Sequence, residues 1–512
     1  MEANAMPAAA SCPVTAEQLV SEVRQRFDKL LRFCQHNDYS FWKFEKCLFA
    51  LLAVLGRLLV RLFLTARHQR LELQPYLQDG RYRRGAAYAE RTLKTAYGVV
   101  RYGRAQLVAR RGGAGFYPLD AVLVLTRDGL SPWVMQWVAR LATRMSFASS
   151  RLLCQAALRW SPATETIEQV VLGLGRQAAP FLQQLAAPRG EGEVLVIEVD
   201  GKCPPTATAA ELSKRRGRRR HRVGCACGCQ RHRGKARRQA RGPKKRRKKG
   251  DKSKNGKEVV VVVMYTLKRG DDGKLHGPLH KKVWATFAGR KAAAQWARAE
   301  ASKRGFGPDT SKTVQVVLDG AKSLKRLVQA LFAHAIFTLD ICHVVEKLWS
   351  VGHHFHREGS AELQAWVDDL KALLYAGQAA QLVERLRGYA QQVPTHGPGT
   401  KGRRQALHKL IGYLEPRLAM MHYQTWIAQD LVIASGQVEG AVRHVVGERL
   451  DCSAMRWTKG KAETLLHLRC IELNADWDRF FAWVQEQNRH LLQKRQRLRI
   501  LTDQPMKVTK AA

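Results

Sequence analysis

Hydrophobic positions change rhythm along this chain. In the first 190 residues they recur at helical spacing. CLFALLAVLGRLLVRLFL, residues 47–64, carries Leu48, Leu51, Leu52, Leu55, Leu59 and Leu62 on such a pattern. Arg57 and Arg61 interrupt it, and a membrane span needs about 18 or more residues with few charges. The stretch therefore reads as a soluble amphipathic helix, packed in the core or against a second copy. TLKTAYGVVRYGRAQLV, residues 92–108, reads as two short strands turning at Tyr97-Gly98. Helical periodicity resumes after Pro118. Leu152, Leu153, Ala156, Ala157 and Trp160 form one stripe; Ile167, Val170, Val171 and Leu174 form a second. Between them Ser161-Pro162 reads as an N-cap with Pro at the first helical position. Two helices at a tight corner fit a helix-turn-helix, whose second helix enters a DNA groove. Thr164, Thr166 and Gln169 then lie on its polar side, within reach of base edges. An ordinary helical hairpin fits equally well.

From residue 193 the runs become continuous. EVLVIEVDG (193–201), EVVVVVMYTL (258–267), VWATFAG (283–289), VQVVLDGA (314–321) and AIFTLDICH (335–343) read as five strands. GRKAAAQWARAEASKRG (289–305) reads as a helix among them. Three strands, a helix, then two strands separated by helix make a mixed α/β sheet. Runs this apolar are buried on both faces, so helices cover it. Residues 344–434 show only helical patterning, broken by the loop VPTHGPGTKG (393–402), and the last 70 or so residues are helical and basic.

Charge changes the picture. The 512 residues suffice for about three domains, and 45% are apolar, which excludes disorder throughout. Lys plus Arg number 87 against 43 acids, a formal net charge of +44. Such an excess calls for a polyanion, nucleic acid before a membrane surface. Residues 214–257 hold 22 Lys or Arg against one acid, Asp251. With almost no apolar residues, this insertion reads as a solvated phosphate-binding arm, with Lys244, Lys245, Arg246 and Arg247 at its densest point. Cysteines number 11, dispersed and odd, which fits a reducing interior. The start lacks a basic segment followed by an apolar core, so no secretory signal is expected.

Two strands end alike, Val-Asp-Gly at 199–201 and Leu-Asp-Gly at 318–320. An acid after a long apolar run sits at the sheet's end, where ligand sites concentrate. Asp-Gly alone is a common turn. Two such ends in so basic a chain point instead to a divalent-metal site, with carboxylates suited to Mg²⁺ or Mn²⁺. A third acid comes from SGQVEGAVRHVVGERL (435–450), where Val438, Ala441, Val442, Val445 and Val446 make an apolar stripe. Glu439 lies at its edge near the helix start; Glu448 is its rival, and Glu198 rivals Asp200 by alternation on the strand. Three carboxylates holding two ions perform phosphoryl transfer.

The order Asp200, Asp319, Glu439 on strand, strand and helix resembles the DDE transposases, which have a ribonuclease-H-like catalytic fold. Spacings of 119 and 120 residues suit the types with a helical insertion before the Glu. Asp340-x-x-His343 in LDICHVVEKLW (339–349) resembles the Asp/Cys-x-x-His signature of those types. SGQVEGAVRHVVGERLDCSAMRW (435–457) followed by LLHLRCIELNADWDRFF (465–481) is similar to the ISKra group of bacterial insertion-sequence transposases, over roughly residues 85–485.

The resemblance implies a transposase that binds the terminal inverted repeats of its element, cuts DNA with Mg²⁺ (Mn²⁺ able to substitute) and joins the freed 3′-OH to target DNA. Asp200, Asp319 and Glu439 would hold the metal, and His343 would assist near the site. Asp340 also reads as a plain helix N-cap. Arg456-Trp457 would suit an unpaired base, burial of Trp457 being the ordinary alternative. Relatives often carry Cys pairs after the hairpin; RRGGAGFYPLD (110–120) has none. Cys225, Cys227 and Cys229, with His221 or His232 nearby, lack the usual ligand spacing, so zinc is not expected there. His353, His354 and His356 read as solvent-facing.

The expected organisation is as follows. Residues 1–80 form a helical N-terminal region that is a candidate for dimerisation. Residues 81–190 form a hairpin and helix-turn-helix-like DNA-binding region, and 191–343 a ribonuclease-H-like core with the basic insertion 214–257. An all-helical insertion follows at 344–434, and 435–512 holds the third acid and a basic helical C-terminus. A homodimer or larger homo-oligomer in the bacterial cytoplasm, at the nucleoid, with no membrane partner, completes the expectation. The rival readings are a RuvC-like nuclease, whose acids run Asp, Glu, Asp, and a catalytically silent DNA-binding protein derived from a transposase.

Overall fold

Thr15 and Gln18 cap helix α1 (Ala16–Gln35) reciprocally, each side chain accepting the other's backbone N–H. The computed structural model describes residues 14–78, 80–112, 115–212, 257–452 and 455–494. They divide into two units: one runs to Phe181 and resumes at Ala475, the other is Leu182–Asn474.

In the first unit, α2 (Phe41–Gln69) contains the 47–64 run, but only its Gly56 and Leu64 are buried. Of the two packings expected, in the core or against a second copy, only part of the helix shows the first. Its best 18-residue window has mean hydropathy 2.3 with 6% of it buried. Among the described residues it is the one helix long and apolar enough to cross a membrane. Its second half is held by protein. After α3 (Gln74–Leu77) and β1 (Tyr82–Arg84), β2 (Ala89–Thr95) and β3 (Gly98–Arg104) form the expected hairpin. Gly56 lies against the Tyr97 ring, and Leu64 packs with Leu93, Val100 and Tyr102. The turn occupies Ala96 and Tyr97, one residue earlier than the sequence suggested, because Gly98 takes φ +116° and pairs with Thr95. β4 (Leu107–Ala109) pairs with β1 in a second small sheet.

Four helices follow: α4 (Pro118–Val122), α5 (Pro132–Arg144), α6 (Phe147–Leu158) and α7 (Thr164–Gln184). The α7 stripe of Ile167, Val170, Val171 and Leu174 is fully buried. The α6 stripe is not: Leu152 is 71% exposed and Leu153 45%, while Ser150 and Cys154 face inward. Nor does a helix begin at Pro162. Arg159 turns the chain at φ +61°, Pro162 is buried in the corner, and α7 starts at Thr164. Thr164 and Gln169 are exposed and Thr166 partly so.

The second unit is built on one mixed sheet. β5 (Val194–Lys202), β6 (Val259–Arg269) and β7 (Leu275–Thr286) are antiparallel neighbours. After α8 (Arg290–Lys303), β8 (Thr313–Leu318) pairs parallel with β5, and after α9 (Lys322–Leu331), β9 (Ile336–Leu339) pairs parallel with β8. The order is β7-β6-β5-β8-β9. Every residue from Val259 to Leu267 is buried, as a strand covered on both faces requires. The α8 alanines Ala293, Ala294, Ala297 and Ala301 are among the covering side chains, and Trp296 stacks on Trp284 of β7 at 4.9 Å. The helical insertion is α10 (Ile341–Gly352), α11 (Ala361–Tyr375), α12 (Ala379–Gln392), α13 (Thr400–Leu414), a 3-10 turn (Glu415–Met420) and α14 (Tyr423–Ala428). Its break between α12 and α13 falls on the expected loop. Then come α15 (Gly436–Val442), a π turn (Arg443–Gly447), α16 (Glu448–Leu450) and α17 (Lys459–Leu473). The final described helix, α18 (Trp477–Gln493), belongs to the first unit.

Lys282 on β7 and Glu300 on α8 form an ion pair of 2.6 Å, both side chains nearly out of water. A buried pair is costly to break from one side, by about 3–5 kcal/mol. Glu300→Ala should therefore lower unfolding free energy by about that much, and adding Lys282→Met should recover most of it. Urea denaturation of both variants checks this; equal loss in the two would show that packing, not the stranded ammonium, sets the cost.

Candidate active site

Parallel pairing brings three acids abreast. Val199, Leu318 and Leu339 are the last residues in register on β5, β8 and β9. The next residues are Asp200, Asp319 and Asp340. Neighbouring strands lie about 4.8 Å apart, so the carboxylates crowd one end of the sheet. Burial pushes the Asp200 carboxyl up, the Gly201 N–H opposes this, and the charges of Asp319 and Asp340 push it further up.

The three differ in what occupies their oxygens. Asp340 is fully buried and saturated. Its Oδ1 accepts from the N–H of Cys342 (3.0 Å) and of Ser435 (3.3 Å). Its Oδ2 accepts from Ser435 Oγ (2.5 Å) and His343 Nδ1 (2.6 Å). Burial raises its pKa, but these bonds outweigh burial and hold it below the usual carboxylate range. The N-cap reading of Asp340 thus holds, and the acid has a second role in orienting His343. That bond raises the His343 ring to about 9, against burial, so it is cationic at neutral pH. Asp200, by contrast, accepts among the described residues only from its neighbour Gly201 N–H (2.6 Å), and Asp319 only from Ala321 N–H (2.9 Å). Each keeps open lone pairs.

The Asp319 turn is gripped from the helical insertion. Tyr413 donates to the Asp319 carbonyl at 2.8 Å. Arg417 donates twice to the Gly320 carbonyl, at 2.9 and 2.5 Å. Gly320 has φ +81°, and a Cβ there would meet Arg417 Nε at 2.6 Å. Only glycine fits a left-handed residue pressed on a guanidinium. Arg417 and Tyr413 carried no signal in the sequence beyond their place in a helical pattern.

Glu439 is on α15, whose stripe Val438, Ala441 and Val442, continued by Val445 and Val446, is buried as expected. Its carboxylate is exposed and has no hydrogen bond or ion pair among the described residues. Partial burial raises its pKa; the charges of Asp340 and Asp200 act in the same direction and His343 opposes them. Glu439 therefore shares a field with the strand-end acids. Its rivals are otherwise engaged. Glu198 is completely buried, accepting from Tyr265 OH (2.7 Å) and the Val438 N–H (2.8 Å), so it moors α15 and offers nothing to solvent. Glu448 is bound to His444 Nδ1 (2.6 Å) and Arg469 (3.1 Å).

Among the described residues, one group is tight enough to share an ion: Asp340, His343 and Glu439, with ligand atoms within 4.8 Å of one another. Asp340 has no lone pair left and a protonated His343 is no ligand, so this trio is a poor closed centre. Asp200, Asp319 and Glu439 are not drawn into one such group, although their hard, open oxygens fit Mg²⁺ or Mn²⁺ by donor chemistry.

Other expectations fare differently. Trp457 is buried, bridged to Thr206 and covered by the Arg449 guanidinium at 4.9 Å, so it is no stacking platform; Arg456 stays exposed. His353 and His354 are exposed and His356 partly so, near Trp349 and Trp366 rather than any acid cluster. Lys244, Lys245, Arg246, Arg247, Cys225, Cys227, Cys229, His221 and His232 lie outside the described residues. Neither comparison, with protein-family models or with curated proteins, finds a match to this chain.

Burial raises Glu198 to about 7, against the bonds from Tyr265 and Val438. A carboxyl raised in the folded state contributes stability below its unfolded pKa near 4.5 and loses it as pH rises through about 7. Wild-type stability should fall by on the order of 3 kcal/mol from pH 4.5 to 8 on this account. Glu198→Gln, which can still accept from Val438, should flatten the decline. Urea midpoints across pH check it, and an unchanged slope in the variant would reject it.

Proposed function

We propose that this chain is a DDE-type transposase with a ribonuclease-H-like core, acting on the terminal inverted repeats of an insertion sequence. One observation carries the reading: Asp200 and Asp319 stand side by side with open oxygens, and Glu439 joins their field from a helix moored by Glu198 and Asp340. The five-stranded mixed sheet and the net charge of +44 support it. Asp200, Asp319 and Glu439 would hold Mg²⁺, which when bound supplies an activated attacking oxygen and stabilises the leaving one.

The chain's own residues position and balance charge. Asp200 and Asp319 fix two oxygens at the sheet end, held there by register and by the Arg417–Gly320 grip. His343, cationic through Asp340, lowers the pKa of Asp200 and Glu439 and presents positive charge to a scissile phosphate. Water attack then frees a 3′-OH, and the same acids serve its attack on target DNA. Cutting and joining two ends requires at least a homodimer, working where chromosomal DNA is, in the bacterial cytoplasm.

Asp200→Asn, Asp319→Asn and Glu439→Gln should each lower cleavage of DNA carrying the repeats that flank the reading frame by at least about a thousandfold, while binding changes by only a few fold. Glu448→Gln should cut almost normally. Gel assays in Mg²⁺ with mobility shifts on the same DNA test this. Normal cleavage by Glu439→Gln would remove the third acid from the site.

A further inference from the structure

The first unit buries two guanidinium groups, Arg91 and Arg104, against a single carboxylate. Arg91 on β2 and Arg104 at the end of β3 share one face of the hairpin, since Arg91 pairs with Tyr102 two residues before Arg104. Further along that face Leu93 and Val100 enter the apolar core. Arg91 and Arg104 therefore occupy positions where apolar side chains would be expected. Their side chains are only 7% and 13% exposed. One carboxylate, Asp120 on α4, is paired with both, with Arg91 at 3.0 Å and also with Arg104. Arg91 also donates to the Thr126 carbonyl. Arg104 lies over the Tyr117 ring at 3.7 Å, and its Nε is out of water without a hydrogen-bond acceptor.

These groups line a cavity of about 300 Å³, and Arg127 stands exposed at its rim. The lining thus holds three guanidinium groups and one carboxylate. Asp128, next to Arg127, is not in the lining and accepts from Thr126 Oγ1 at 2.6 Å. Burial and then the Arg91 charge push Arg104 down to about 10. Two buried guanidinium groups that share one carboxylate leave a positive charge without a counter-ion of its own, which is costly. Fixed guanidinium forks match tetrahedral oxyanions and bind them bidentately. The volume admits one phosphate with an attached sugar, but no large apolar ligand.

We propose that this cavity is a phosphate-binding site, taking either a backbone phosphate of nucleic acid or the phosphate of a small phosphorylated molecule. The site lies in the unit that holds none of Asp200, Asp319 and Glu439, so it does not depend on the catalytic reading. Arg104 and Arg91 form its floor, and Arg127 closes on the anion from the rim.

The test uses the full chain. Inorganic phosphate and pyrophosphate are titrated calorimetrically at constant ionic strength, and duplex DNA by fluorescence anisotropy. Arg127→Ala changes an exposed loop residue and should fold normally; Arg104→Lys keeps the floor charge but loses the fork. Each should weaken pyrophosphate binding by roughly tenfold or more, the worth of one charge-assisted hydrogen bond. If DNA affinity falls by a similar factor and pyrophosphate competes with DNA, the site takes a backbone phosphate. If DNA affinity is unchanged while pyrophosphate binding falls, it takes a small phosphorylated ligand. Wild type that binds neither phosphate nor pyrophosphate, with DNA affinity untouched in both variants, overturns the proposal.

Discussion

A short helix cannot hold its own place in water, because helix nucleation is costly and four N–H groups at its start lack partners. α15, continued by the π turn and α16 to Leu450, is such a helix, and two buried carboxylates fix its start. Glu198, inside β5, accepts the Val438 N–H; Asp340, at the end of β9, accepts the backbone and hydroxyl of Ser435 just before the helix. The helix start is thereby fastened to two strands at once. Everything proposed for the acid cluster depends on this mooring, because the Glu439 side chain itself has no hydrogen bond or ion pair among the described residues to place it. The fully buried stripe from Val438 to Val446 supplies the adhesion, and the carboxylates set the position.

The same division of labour explains why acids that look alike differ in use. Glu198 and Asp200 share a face of β5, yet two residues of depth separate a sealed side chain from an open one. Asp340 and Asp319 stand abreast, yet four donors fill the first and one the second. A donor-filled carboxylate organises its surroundings; one with spare lone pairs can take a cation. His343 converts the former into an influence on the latter, by carrying the charge that Asp340 stabilises.

Much of this was legible in the residues. The apolar runs at 193–201, 258–267 and 314–321 gave strands, because buried strands leave no choice of face. The stripe on α15 singled out Glu439 because the acid interrupts nothing. Register was not legible: that Asp340 aligns with Asp200 and Asp319 follows only from the pairing of β8 with β9. The polar first half of β7 was missed, since LHGPLHKK is carried by the end of β6 through a bulged ladder. The α6 and α7 stripes read identically, yet only one is covered, because spacing reports a face and not what lies against it. The depth of Arg91 and Arg104 escaped for the same reason, whereas burial of Trp457 was the ordinary alternative to a stacking role and is what occurs.

The grip of Tyr413 and Arg417 on the Asp319–Gly320 carbonyls has a dynamic consequence. The helical segment between β9 and α15 looks in sequence like a detachable insert. Yet the geometry of Asp319 is only as persistent as the contact with that segment. Any opening of its last turns releases the Gly320 carbonyl and lets the acid wander. The opening free energy of the segment then sets the fraction of time the strand-end acids are in place. The helical segment beside the sheet is thus the part whose breathing sets how persistently the strand-end acids hold their place.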